Sequence, residues 1–238
     1  MTRPEIAAAS PALKARIAGA FYLINGMTYG YADGNIHGRI LVAGNAAATA
    51  QNIIANGSVL RTCFAIELIS AACYVVVTLL LFDLLKPVNK SIATLAAFFS
   101  LVGCVVVALA SFFTFAPLII MSTPYLGVFK VEQLQSLALL SLDLHAVVAS
   151  MCMVFFGVYC FLTGYLIFRS KFMPRIIGVF MAITGVTYQL FLSPPLATHL
   201  FPSVIKPAGA LGELSLILWL LIFGVNSQRW KEQAGASM

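Results

Sequence analysis

The stretch Tyr74-Val75-Val76-Val77-Thr78-Leu79-Leu80-Leu81-Phe82-Asp83-Leu84-Leu85-Lys86-Pro87-Val88-Asn89-Lys90-Ser91-Ile92-Ala93 ends one apolar run, turns through a short basic segment and begins another. Extended outward, the runs cover roughly 61–85 and 92–121, and each exceeds the roughly 20 helical residues that cross a hydrocarbon core. A second turn, Arg169-Ser170-Lys171-Phe172-Met173-Pro174-Arg175, separates two further runs in the same way. Short connections of this kind make the flanking elements antiparallel neighbours. Backbone polar groups in lipid must be satisfied within the segment, so the runs are predicted to be helices. No run shows the period-two alternation of a barrel strand. The full reading is an all-α integral membrane bundle of six transmembrane helices, with spans at roughly 16–33, 61–85, 92–121, 140–168, 174–193 and 207–226. The chain, 1–238, is read as a single membrane domain.

Composition agrees. Hydrophobic residues make up 61% of the chain and charged residues 9%, with a mean hydropathy of +0.98. A soluble domain carries about a quarter charged residues to hydrate its surface. The net charge of +6 does not point to nucleic acid. The basic residues sit at the ends of apolar runs rather than interleaved with aromatics on one face. The partner implied is the lipid bilayer. The five cysteines, Cys63, Cys73, Cys104, Cys152 and Cys160, all lie within apolar runs, form no CxxC pair and read as packing residues.

Lys and Arg set the direction. With the N-terminus inside, Arg3, Lys14, Arg16, Lys86, Lys90, Arg169, Lys171, Arg175, Arg229 and Lys231 are cytoplasmic, against Arg39, Arg61, Lys130 and Lys206 outside. The bias places both termini in the cytoplasm of an inner-membrane protein. Between the first two spans, Asn45 precedes Ala46-Ala47-Ala48-Thr49-Ala50-Gln51-Asn52-Ile53-Ile54 and is a good N-cap. A short outer surface helix is predicted there.

Lipid gives helices no hydrophobic reason to associate, so small residues that allow close approach become the packing signal. Three stripes at helical spacing are predicted as packing faces. They are Gly26, Gly30 and Gly34 continuing from Ala18 and Tyr22; Ser100, Cys104, Ala108 and Ser111; and Gly178, Ala182, Gly185 and Gln189.

Ionisable residues within spans are costly, by about 2.5–3.5 kcal/mol at the centre on insertion scales, so each needs a reason. Glu67, Asp143, His145, Glu213 and, less deeply, Asp33 stand out. At about 1.5 Å per residue, Glu67 lies about 28 Å from Lys86, Glu213 about 24 Å from Arg229, and His145 about 36 Å from Arg169. All fall toward the outer side, on the second, fourth and sixth spans. If those spans adjoin, an outward-opening polar pocket follows. Glu67 continues into Ser70, Tyr74 and Thr78, a polar stripe on an apolar helix, and Ser141 shares a face with His145. Asp143 and His145 point roughly 200° apart on a regular helix, which favours His145 for the pocket and Asp143 for the interface.

The chain also resembles a known family. Ala15-Arg16-Ile17-Ala18-Gly19, Gly44-Asn45-Ala46-Ala47-Ala48-Thr49-Ala50 and Leu84-Leu85-Lys86-Pro87-Val88-Asn89-Lys90 carry the likeness. So do His145, Gly164-Tyr165-Leu166, Arg169-Ser170, Pro174-Arg175-Ile176-Ile177-Gly178 and Gly212-Glu213-Leu214. Together, over about 15–226, these resemble the bacterial multi-pass membrane proteins of domain of unknown function 4386 (DUF4386). The resemblance implies a six-helix inner-membrane protein and no particular activity.

Three functions compete. One is binding or transport of a small polar or amphipathic solute, or of protons, at Glu67, His145 and Glu213 with Asp143, Tyr74 and Ser141 around them. A second is a membrane enzyme acting on a lipid or quinone, in which Glu67, His145 and Glu213 supply oxygen and nitrogen ligands to a divalent metal such as zinc, iron or manganese. No HExxH or GxSxG pattern accompanies them. The third is a structural or sensory subunit whose charges only hold helices together, with Glu67 pairing Arg61 and Glu213 pairing Lys206.

Overall fold

In the computed structural model, residues 10–122 and 127–236 are described; Arg3, counted above among the inner cations, lies outside them. The helices among the described residues are α1 (Pro11–Asn35), α2 (Ala46–Ala55), α3 (Gly57–Leu85), α4 (Lys90–Ile120), α5 (Val131–Arg169), α6 (Arg175–Tyr188), α7 (Pro194–Leu200), α8 (Lys206–Ile222) and α9 (Ser227–Gly235). Single irregular turns at Ile36–Ile40, Gln189–Leu192 and Phe201–Ile205 extend α1, α6 and α7.

Among the described residues, five helical segments are long and apolar enough to cross a membrane: Gly57–Leu85, Lys90–Ile120, Val131–Arg169, Arg175–Leu192 and Pro194–Ile222. The expectation of six apolar spans is corrected on this point. The first predicted span does form a helix, α1, of 25 residues, about 37 Å long. It carries Lys14, Arg16, Asn25, Thr28, Asp33 and four glycines, and is too polar to count by composition. The predicted loop before the sixth span is itself helical, so α7, a turn and α8 run on from Pro194 to Ile222.

The membrane character shows in α4. Leu95, Phe98, Val102, Val105, Leu109 and Phe112 recur at spacings of three and four and are all exposed. The opposite side of the helix buries Ser100, Cys104, Ser111 and Thr114. Apolar groups outside and small polar groups inside is the pattern expected when the surrounding solvent is hydrocarbon.

Contacts group the chain into two compact units, one of Met1–Leu23, Val75–Leu101 and Val154–Met238, the other of Ile24–Tyr74 and Val102–Met153. In the first, α5 and α6 form an antiparallel hairpin across the Arg169–Arg175 turn. A Cβ at Gly164 or at Gly178 would lie 2.6 Å from the other's carbonyl oxygen, and one at Gly185 would lie 2.6 Å from that of Gly157. The two helices therefore touch backbone to backbone, at two points seven residues apart, a spacing that keeps both on one face. Thr184 Oγ1 donates to Ala208 O of α8 at 2.8 Å, and Thr78 and Ser100 hydroxyls meet at 2.6 Å between α3 and α4. Asp83 accepts from both Lys14 and Lys86. Trp230 Nε1 donates to Leu84 O at 2.8 Å, tying α9 to the end of α3.

The second unit packs Ala32, Ile36, Ile40, Ile53, Leu60, Cys63, Ala138 and Leu142 into one apolar cluster. The predicted cap is present: Asn45 Oδ1 accepts from Ala48 N at 3.0 Å and starts α2. Thr49, Ala50 and Ile53 on this helix are buried, so it is packed into the unit on one side. Asn25 of α1 binds Ser70 of α3 through its side-chain amide, 2.8 Å to Oγ and 3.0 Å to the carbonyl.

One predicted packing stripe is overturned. A Cβ at Gly26, Gly30 or Gly34 would meet nothing within 4 Å. The buried positions are Pro11, Ala15, Ala18, Gly19, Tyr22, Ala32 and Ile36. Strict spacing of four drifts about 40° per step around a helix, so a glycine series starting at a buried position leaves the buried face within two turns. The third stripe holds, with Gly178 and Gly185 at the α5 backbone and Gln189 donating to Val154 O at 3.1 Å. All five cysteines are buried, and none is in a disulfide.

Candidate functional site

Glu67 sits ten residues into α3, on a face that also buries Cys63, Ser70 and Tyr74. Its side chain is 3% exposed. One carboxyl oxygen, Oε1, lies 3.1 Å from His145 Nε2 on α5. The other, Oε2, accepts from Thr114 Oγ1 on α4 at 2.9 Å. Three helices thus converge on one carboxyl group, and both its oxygens are partnered. A nitrogen and an oxygen at 3.1 Å require a proton between them, held by the imidazole or by the carboxyl. All three side chains are buried, where an unpaired group of either type would be costly.

His145 is buried while Asp143, two residues away, is exposed. Ser141 is buried one turn from His145, but its hydroxyl donates to Leu137 O of its own helix at 2.9 Å. Tyr74 is buried two turns beyond Glu67 on α3. Asp33 pairs with His37 at 3.5 Å on the exposed side of α1.

Glu213 belongs to the other compact unit and has its own partner there. Tyr188 of α6 donates its hydroxyl to Glu213 Oε1 at 3.0 Å. Among the described residues, no three His, Cys, Asp or Glu side chains form a group that could hold a metal ion. The pairings within single helices are not formed either. Arg61 and Glu67 are six positions apart and point about 120° away from each other, whereas pairs meet at three or four. Lys206 and Glu213, seven apart, share a face but are about 10 Å apart along it.

A family model described as Domain of unknown function (DUF4386) matches residues 17–224, which include Glu67, Thr114, His145, Tyr188 and Glu213. The chain belongs to the DUF4386 family. A relative from Archaeoglobus fulgidus, described as an uncharacterized protein, is 29% identical over 150 residues, covering 63% of this chain and 76% of its own. No solved structure matches the chain. The DUF4386 protein is thus a multi-pass membrane protein whose family carries no assigned activity.

Three partners in the DUF4386 protein escaped the reading of its sequence. Thr114 continues the stripe of Ser100, Cys104 and Ser111 by one more step of three, so its face was legible though its partner was not. Tyr188 directly precedes Gln189, at the end of a run read only for its small residues. Asp83 stands three positions before Lys86, a spacing at which opposite charges meet on a helix.

Proposed function

We propose that this DUF4386 protein binds or carries a small solute or protons, with Glu67 and His145 as its proton-accepting centre and Thr114 holding the carboxyl in place. The observation that carries this reading is the buried contact between Glu67 and His145, 3.1 Å apart on different helices. Carboxyl and imidazole groups exchange protons in water, and ionisable side chains kept within membrane helices mark proton and substrate pathways. Tyr74 and Ser141 lie along the same helices as the surrounding wall. Glu213, with Tyr188, is a second polar centre in its own unit.

Purified protein in vesicles with a trapped pH-indicating dye tests this under an imposed pH gradient. Wild type is expected to conduct protons above empty vesicles, and Glu67→Gln and His145→Gln to lower the flux about tenfold or more. Glu132→Gln, on the exposed first turn of α5, is expected to leave it unchanged. Flux no greater than in empty vesicles, or unaltered in both pair variants, sinks the reading. A structural cross-link between helices is favoured by the same observation, since both Glu67 oxygens have partners; it is the conclusion if those variants change stability alone.

We also propose that α1 crosses an inner membrane as a sixth span with both termini cytoplasmic. Its length is sufficient, and Asn25, its most polar mid-helix group, is hydrogen-bonded to Ser70. Six crossings return the chain to its starting side and five do not. Reporter fusions at the two termini are therefore expected to report the same, cytoplasmic, side; opposite sides would remove α1 from the membrane.

A further inference from the structure

The α5–α6 hairpin carries a feature that the buried pair does not use. Because the helices touch through glycine, they leave a trough along their outer side, a cavity of about 430 Å³ floored by Gly164, Gly178 and Ala182 and walled by Phe161, Tyr165 and Phe168. On α6 it runs from Gly178 to Thr187, about 14 Å at 1.5 Å per residue. That is close to half of a hydrocarbon core of about 30 Å, the depth of one leaflet. Its lining is apolar apart from the Tyr165 and Thr187 hydroxyls.

At one end the trough meets a second recess, of about 850 Å³, and Phe168 lines both. Here the chemistry reverses. Arg169, Lys171, Arg175 and Arg229 line the recess with a single carboxylate, Glu232. Among the described residues none of these four cations is in an ion pair, and the nearby carboxylate Asp83 is taken by Lys14 and Lys86. Arg175 stacks over the Phe168 ring, 5.6 Å from its centroid, at the junction of trough and recess. The floor is fixed: Lys171 N donates to Gln233 Oε1 at 3.0 Å, and Asn226 caps α9 by accepting from Arg229 N at 3.0 Å. α6 starts here without a side-chain cap, so its first backbone N–H groups also face this end.

We propose that this continuous surface binds an anionic phospholipid, its phosphate among Arg169, Arg175 and Arg229 and one acyl chain in the glycine-floored trough. An apolar slot one leaflet deep, ending in unpaired guanidinium groups, matches both halves of such a molecule. Arginine recognises phosphate oxygens in a planar, bidentate way, and basic pockets between membrane helices are sites for acidic headgroups. A soluble anion would use the recess and leave the trough idle; a zwitterionic lipid would use the trough and waste the charge.

Native mass spectrometry of detergent-purified protein titrated with phosphatidylglycerol or phosphatidylcholine of identical acyl chains decides this. Phosphatidylglycerol is expected to be retained about tenfold more strongly or better. The triple change Arg169→Gln, Arg175→Gln, Arg229→Gln is expected to bring it down to the phosphatidylcholine level with no fall in melting temperature. Ala182→Phe, which fills the trough, is expected to weaken both lipids, and inorganic phosphate is expected not to compete. Equal retention of the two lipids, a preference that survives the triple change, or displacement by inorganic phosphate overturns the proposal. Should the triple variant fail to fold, the Ala182→Phe and phosphate arms still decide it.

Discussion

Replacing Glu67 with alanine is expected to cost about 2–3 kcal/mol of stability. A single interhelical hydrogen bond in a membrane contributes about 0.6 kcal/mol on average and up to about 1.7, but this change leaves two groups without a partner. His145 on α5 and Thr114 on α4 both lose the carboxyl oxygen they contact, and a buried polar group left unsatisfied costs about 1–3 kcal/mol. Glu67→Gln keeps an acceptor and the shape of the side chain, so its loss is expected to be about 1 kcal/mol or less. Reversible unfolding in detergent gives the values. In a double-mutant cycle, Glu67→Ala and His145→Ala are expected to couple by about 1 kcal/mol or more. Strictly additive losses would mean that the two side chains do not stabilise one another.

A larger effect is expected at the glycine seam. Gly178→Leu should separate α5 from α6 and abolish recovery of folded protein. Even a methyl group at this position would lie 2.6 Å from Gly164 O and Phe168 N, both backbone atoms of a helix that cannot yield locally. The helices must part instead, and a radial gap of half an ångström to one ångström already forfeits a quarter to a half of each contact along the seam. Overpacking by a single methyl costs about 1–3 kcal/mol, so Gly178→Ala should be folded but less stable. Gly164→Ala should lose a similar amount. Since one parting of the helices accommodates both methyls, the double variant is expected to lose clearly less than the sum. Full additivity, or a Gly178→Leu protein as stable as wild type, would contradict the backbone contact.

How far the sequence could be read depended on what each inference needed. The two basic turns, the runs beside them and the Asn45 cap are local features, and α2, α3, α4 and α6 follow from them with shifts of a few residues at their ends, whereas α5 starts at Val131, well before the span predicted from 140. The α1 glycines were misread because spacing of four marks a face only over a turn or two; Ala15, Ala18 and Tyr22 keep to the buried side by mixing steps of three and four. The glycine stripe of α6 was legible, but its counterpart on α5, Gly157 and Gly164, became meaningful only once the hairpin set them opposite Gly185 and Gly178.

For the candidate site, the cost of a carboxylate or imidazole in hydrocarbon singled out Glu67, His145 and Glu213 from the sequence, together with Asp143 and Asp33, which are exposed, since that cost attaches to the residue type and its distance from the basic anchors. Partner choice depends on helix rotation and on which helices adjoin, which no spacing within one helix encodes. Only the tertiary structure joined Glu67 to His145 and Thr114, gave Glu213 to Tyr188, and set four unpaired cations at the mouth of an apolar trough. The solvent a segment needs is written in its own composition; the neighbour a side chain meets is decided by packing among helices distant in the chain.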